Sequence, residues 1–259
     1  MRKNRTVMSA VLVMMMEASW SLSVTPVASA SAAEAQTAQS ASSGQSTAKT
    51  RAAAVPTVSV PQEIHEALAR NQGHQAEKWR FIPSTSQSVI FTFGGLSKKE
   101  PLVHVLDAMK ANEMRGTFFV TERELKRNAE NIRLIRSYGQ DLGIGLTSIK
   151  GGGTAAEYAM QIQRVRDGLQ QYGVTTDVVR QMASSDNEAG MKEAAAAMKC
   201  WFVGQGLNAV QSKDKQAQSA DEVMPHIFGK WTTSLGRNEI LYIRTDYYTK
   251  PTLASEVMM

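Results

Sequence analysis

The chain has 259 residues, 42% hydrophobic and 20% charged, a globular composition that excludes disorder throughout and leaves room for one sizeable domain plus an appendage. The formal net charge is +5, but three basic residues and one acidic residue lie in the first thirty positions, and the 26 basic and 23 acidic residues that follow are too evenly matched to point to nucleic acid. A single cysteine, Cys200, excludes a disulfide framework within the chain, and its apolar setting in MKCWFVGQG reads as that of a buried small hydrophobe rather than a nucleophile.

The first thirty residues read as a secretory signal peptide. Arg2, Lys3 and Arg5 form a basic start, VMSAVLVMMM a short apolar centre, and Ala28-Ser29-Ala30 a small-residue cleavage signal. The apolar centre falls short of the roughly 20 residues that span a bilayer; an uncleaved N-terminal membrane anchor is the alternative. Residues 31–55 are almost entirely Ala, Ser, Thr, Gln and Gly, a composition that cannot bury enough apolar surface to offset ordering and predicts a disordered linker. An N-terminal extension over 56–87 follows. It holds a short helix, PQEIHEALARN, and a connector, EKWRFIPSTSQ, whose Trp79 and Phe81 are expected to pack on the domain after it.

From residue 88 to 259 strands and helices alternate. SVIFTF is a short β-rich run, and Leu102, Val105, Leu106 and Met109 then repeat at helical spacing. GTFFV is a second strand, ERELKRNAENIRLIRSYG a helix, and DLGIGLTS a third strand with Leu142, Ile144 and Leu146 alternating. Tyr158, Ile162, Val165, Leu169 and Tyr172 mark the strongest helix, opened by a Thr154–Glu157 capping box and ended by Gly173. TTDVVRQM, CWFVGQ and EILYIRTD supply three more strands, separated by NEAGMKEAAAAMK and by SADEVMPHIFGKW, where Ser219 and Glu222 are spaced for a second capping box. Such βα repetition predicts an α/β fold with a mostly parallel sheet covered by helices, either open or an incomplete (β/α) barrel, with its functional face at the carboxyl ends of the strands.

The order TF, helix, GTFFV, helix, YGQDLGIGLTS resembles the NodB-type polysaccharide deacetylase domain over roughly 88–250. The resemblance implies an irregular (β/α) barrel and a reaction that uses a divalent metal such as zinc. It also implies an Asp-Asp pair directly after TF, two histidines four residues apart after the third strand, and a general-acid histidine on the last strand. In this chain those positions are Gly94 and Gly95, Gly145 and Ile149, and Arg244. Of an Arg-x-Pro element after the fourth strand, Arg180 stands and the proline is Met182; after the fifth strand, FVGQGLNAV carries no carboxylate. None of the five side chains Gly94, Gly95, Gly145, Ile149 and Arg244 can do the family's chemistry, so no cofactor and no catalytic residue are expected. His65, His74, His104 and His226 have no ligand spacing and read as surface or capping residues.

The implied function is an exported, cell-envelope protein with a deacetylase fold that binds or scaffolds glycan without turning it over. Two alternatives stay open: an active N-deacetylase of chitooligosaccharide or peptidoglycan with a different metal site, and an exported α/β protein with a structural or partner role. The vacated face carries Lys98, Lys150, Arg180 and Arg244, which would converge at strand ends and helix starts. That set predicts binding of a cell-wall glycan or an anionic envelope polymer. GGLSKK and GGGT do not match a phosphate loop, which argues against nucleotides.

Overall fold

A computed structural model describes residues 59–82, 88–182, 187–229 and 238–259. The expected leader and linker, residues 1–55, lie outside them. Among the described residues there are eight strands, β1 (Lys78–Trp79), β2 (Val89–Gly94), β3 (Gly116–Thr121), β4 (Asp141–Leu146), β5 (Val178–Gln181), β6 (Trp201–Val203), β7 (Leu207–Asn208) and β8 (Glu239–Arg244). They form one all-parallel sheet in the order β1-β6-β5-β4-β3-β2-β8-β7, curled into a half-barrel and covered by helices. The expected incomplete (β/α) barrel is therefore present. Six strands were legible in the sequence; the two that were not, β1 and β7, have two residues each, too short for any alternation to register.

The helices are α1 (Gln62–Asn71), α2 (Lys99–Ala111), α3 (Glu122–Arg127), α4 (Ala129–Ser137), α5 (Ala155–Gln170), α6 (Glu188–Ala197), α7 (Ala220–Phe228) and α8 (Leu253–Glu256). Leu102, Val105, Leu106 and Met109 of α2 are buried, as are Tyr158, Ile162, Val165 and Leu169 of α5. The Thr154–Glu157 capping box is formed. One predicted helix is in fact two. Asn128, at φ −124° and ψ 33°, leaves helical geometry between α3 and α4, and a further capping box, Thr121–Glu124, opens α3. The second expected box differs as well: Ser219 makes no side-chain cap to the backbone of α7, and its hydroxyl donates instead to the Glu222 carboxylate at 3.4 Å.

Register decides which side chains enter the barrel. Phe93, Phe118 and Leu142 are aligned across β2, β3 and β4 and face outward, Phe93 and Phe118 with rings 4.5 Å apart. Because a strand alternates every residue, Leu142, Ile144 and Leu146 all point to the helix layer, and Gly143 and Gly145 face the interior. The Phe119 ring fills the space a Cβ at Gly143 would need.

The ends of the sheet approach one another through the segment after β1. The Ile240 N–H donates to the Arg80 carbonyl at 3.2 Å, and the Ile82 N–H to the Asn238 carbonyl at 3.1 Å. This corrects the expectation for the connector. Trp79 packs edge-on against Trp201 at 5.4 Å, whereas Phe81, held in a backbone bridge to Glu239, is 57% exposed.

Candidate functional site

The turn after β2 is tied down on three sides. Leu96 donates its N–H to the Glu124 carboxylate at 2.8 Å and accepts at its carbonyl from the Asn131 side chain at 2.7 Å. The Glu124 carboxylate also accepts from the backbone and hydroxyl of Thr121 at 2.9 and 2.7 Å. From β8 and the turn beyond it, the Thr245 N–H reaches the Gly94 carbonyl at 2.9 Å and the Thr245 hydroxyl the Gly95 carbonyl at 2.6 Å. Gly95 has φ +72°, a conformation that L side chains rarely adopt.

The space around these glycines is already filled. A Cβ at Gly94 would overlap the Met182 methyl and lie 2.5 Å from the Tyr242 hydroxyl. One at Gly145, two strands away, would lie 2.8 Å from Met182 Cγ. One at Gly95 would overlap the Asp246 carboxylate and meet Arg244 Cγ at 2.6 Å. Arg244 Nε donates to Asp246 Oδ1 at 2.6 Å, and the Ser97 hydroxyl donates to Asp246 Oδ2 at 2.6 Å. That hydrogen bond to Asp246 raises the Arg244 pKa above its ordinary value.

Arg180, on the inward face of β5, is only 1% exposed. Its guanidinium stacks 3.9 Å from the centroid of the Tyr242 ring and donates to the Gly204 carbonyl at 2.6 Å and to the Gln205 side-chain oxygen. Among the described residues its Nε has no hydrogen-bond partner and no carboxylate forms an ion pair with it. Burial lowers its pKa from 12.5 to about 10, so it stays charged at neutral pH. Burial likewise raises the pKa of Tyr242.

Met182 and Tyr242 divide this face into two cavities of about 470 Å³ each. The first is walled by Arg80, Arg180, Gln181, Gln205 and Asn208, with Lys78 and Glu188 at one side. The second holds Arg123, Arg127, Glu124, Thr147, Arg244 and Asp246.

No protein-family model and no curated protein matches the chain. Solved structures do. A Bacillus anthracis protein, BA3943, described as a CE4 family pseudoenzyme, is 14% identical with a TM-score of 0.58 over 71% of this chain and 64% of its own. A BA3943 mutant described as having restored enzymatic activity gives 0.59, also at 14% identity, over 71% of this chain and 66% of its own. The peptidoglycan deacetylase PdaC from Bacillus subtilis gives 0.53 at 18% identity, over 68% of this chain and 84% of its own. This chain has the fold of the family 4 carbohydrate esterases, the NodB-type deacetylases. It spans a little under two thirds of the length of the BA3943 structures.

Within the esterase fold, the glycine positions singled out from the sequence do come together, since Gly94 on β2 and Gly145 on β4 both abut Met182. A divalent ion needs about three N, O or S donors from the protein. The side-chain positions of Gly94, Gly95, Gly145 and Ile149 supply none; Met182 and Tyr242 fill the space beside Gly94, Met182 that beside Gly145, and Asp246 with Arg244 that beside Gly95. Among the described residues no group of three His, Cys, Asp or Glu side chains could hold a metal, and the side chains around the glycine turn do not fit such an ion.

The four cations expected to share one face are distributed differently. Arg180 and Arg244 both act on Tyr242, but Arg180 lines the first cavity and Arg244 the second. Lys98, the residue before α2, and Lys150 are exposed and line neither. Lys99 is paired with Glu130. Three further arginines, Arg80, Arg123 and Arg127, line the cavities and were not foreseen, because each sits in a segment read only as connector or helix surface. Asp246 was missed too; its signal was the spacing Tyr242, Arg244, Asp246 running off one strand face. Of the histidines, His65 and His74 are exposed, His104 is half-buried on α2, and His226 pairs with buried Asp214 at 2.6 Å.

Proposed function

We propose that this protein is an exported, noncatalytic member of the deacetylase fold that retains cell-wall glycan or another anionic envelope polymer. The observation that carries the reading is the convergence of Gly94 and Gly145 on Met182. Where the family resemblance puts a carboxylate and a metal-binding histidine, a thioether and a phenol fill the room. Neither a general base nor a metal-activated water can be assembled from those groups, and general base catalysis alone is worth roughly 10²–10⁴ in rate. BA3943 supports the reading as a precedent, since that protein is itself described as a pseudoenzyme of this fold. Export rests on the basic start, apolar centre and small-residue site of residues 1–30.

Binding rests on what replaced the metal site: five arginines, Arg80, Arg123, Arg127, Arg180 and Arg244, around two cavities at the carboxyl ends of the strands. Of the cations first singled out, Arg180 and Arg244 remain in this role, and Lys98 and Lys150 would extend it only across the outer surface. The test is metal content of the purified protein beside acetate release from acetylated chitooligosaccharides and peptidoglycan, with zinc, cobalt or nickel added. The expected outcome is neither bound metal nor acetate, with retention on isolated cell-wall material lost in Arg180→Ala/Arg244→Ala. Stoichiometric metal with acetate release would make this an active deacetylase instead.

A further inference from the structure

We propose that the cavity walled by Arg80, Arg180, Gln205 and Asn208 is a binding site for one carboxylate-bearing sugar unit, with Arg180 as the anchor of the carboxylate. The inference rests on the noncatalytic reading above and narrows its ligand class from envelope polymer to acidic sugar.

Arg180 is a buried cation whose partners among the described residues are neutral: the Gly204 carbonyl, the Gln205 amide oxygen and the faces of Tyr242 and Phe119. A charge withdrawn from water without an opposite charge is costly, and its field is weakly screened, so an entering anion is attracted far more strongly there than at the surface. A guanidinium presents its donors as a planar fork that a carboxylate matches with two parallel hydrogen bonds. The Gln205 amide oxygen now accepts from Arg180 where one carboxylate oxygen would, and Gln205 would turn to the ligand on exchange.

The remaining walls select a sugar over a bare anion. Gln181 and Gln205 offer amide donors and acceptors for hydroxyl groups, Asn208 completes the wall with its amide bonded to the backbone of Val210, and Arg80 is exposed at the rim with no ion pair to another described residue. Lys78 is held at one side by Glu188 at 2.8 Å, a carboxylate it shares with Lys192. The volume of about 470 Å³ lies within the usual range for a small-molecule site.

The experiment is calorimetric titration of the full chain at neutral pH with methyl β-glucuronide, methyl β-glucoside and inorganic phosphate. The glucuronide is expected to bind at least roughly tenfold more tightly than either, because the Arg180 contact is a charge-assisted pair and the amide contacts need the sugar. Arg180→Gln should remove glucuronide binding, and Arg80→Ala, at an exposed rim position that folding does not depend on, should weaken it severalfold. Equal binding of the two sugars, phosphate binding as tight as the glucuronide, unchanged affinity in the folded Arg80→Ala protein, or no binding at all would each overturn the proposal. Acetate release in the separate deacetylation assay would overturn the noncatalytic reading whatever the titration gave, so the two failures are distinguishable.

Discussion

Arg180 and Cys200 show how the same burial acts in opposite directions on a cation and an acid. Removing the guanidinium from water favours its neutral form and lowers the pKa to about 10, while removing the thiol from water also favours its neutral form and raises the pKa from 9.0 to about 12. Arg166, whose guanidinium lies 3.1 Å from Cys200 Sγ, pulls the other way without reversing the effect. The sequence reading of Cys200 as a buried small hydrophobe agrees with this environment. For stability the sign follows from proton uptake. Between pH 9 and 12 the folded chain holds the thiol proton that the unfolded chain has lost. The contribution is therefore complete below pH 9 and disappears as pH rises toward 12. Its upper bound is about 4 kcal/mol, three pKa units. Urea unfolding from pH 8 to 11 should show this alkaline loss, and Cys200→Ala should flatten it; in the folded protein at pH 8 an aromatic disulfide reagent should leave Cys200 unmodified. Rapid labelling without denaturant would show the thiol to be accessible.

At the scale of elements, two capping boxes look alike in sequence and differ in what depends on them. Thr154 and Glu157 satisfy the first turn of α5 at an exposed position, so Thr154→Ala should cost about 1 kcal/mol, the usual value of one cap. Glu124 does more than cap α3. Its buried carboxylate also receives the Leu96 N–H, joining α3 to the turn at the end of β2. Glu124→Ala leaves at least two buried donors without partners and should cost about 2–4 kcal/mol, measured as a lower urea midpoint with unchanged slope. A cost no larger than that of Thr154→Ala would mean the turn does not rely on Glu124. Thr121 and Glu124 have the spacing of a capping box in the sequence. The Leu96 contact spans 28 positions and no local pattern encodes it. The same limit explains the break at Asn128: apolar periodicity continues through it, and the change in backbone direction follows from α3 and α4 packing on different neighbours.

Across the whole molecule, the chain's last element secures its first βα unit. Leu253, Ala254, Val257 and Met258 are buried, and α8 packs on α2, the helix that follows the glycine turn. Burying three side chains of the size of Leu, Val and Met is worth about 1.5–3 kcal/mol each, and the sum is comparable to the total stability of a typical domain. Deleting residues 253–259 should therefore abolish cooperative unfolding in urea monitored by circular dichroism. A cooperative transition at the original midpoint would show that α8 is dispensable.

What the sequence determined by itself is local or strictly periodic. Alternation and 3.6-residue repeats specify six of the eight strands and most of the helices, because each is set by which face must leave water. The order of those elements was enough to point to the fold, and the glycines at residues 94, 95 and 145 to positions on it that carry no side chain. Tertiary structure alone decided what stands in that site. Whether Arg180 is a surface charge or a buried one depends on Gln205, 25 residues away beyond the neighbouring β6, and on Tyr242, 62 residues away on β8, which reaches it only once the sheet curls. The placement of Arg80, Arg123 and Arg127 around the cavities, and the withdrawal of Lys98 and Lys150 from them, are decided in the same way. A strand pattern fixes which face a side chain takes, and only the closing of the half-barrel fixes which other faces it meets.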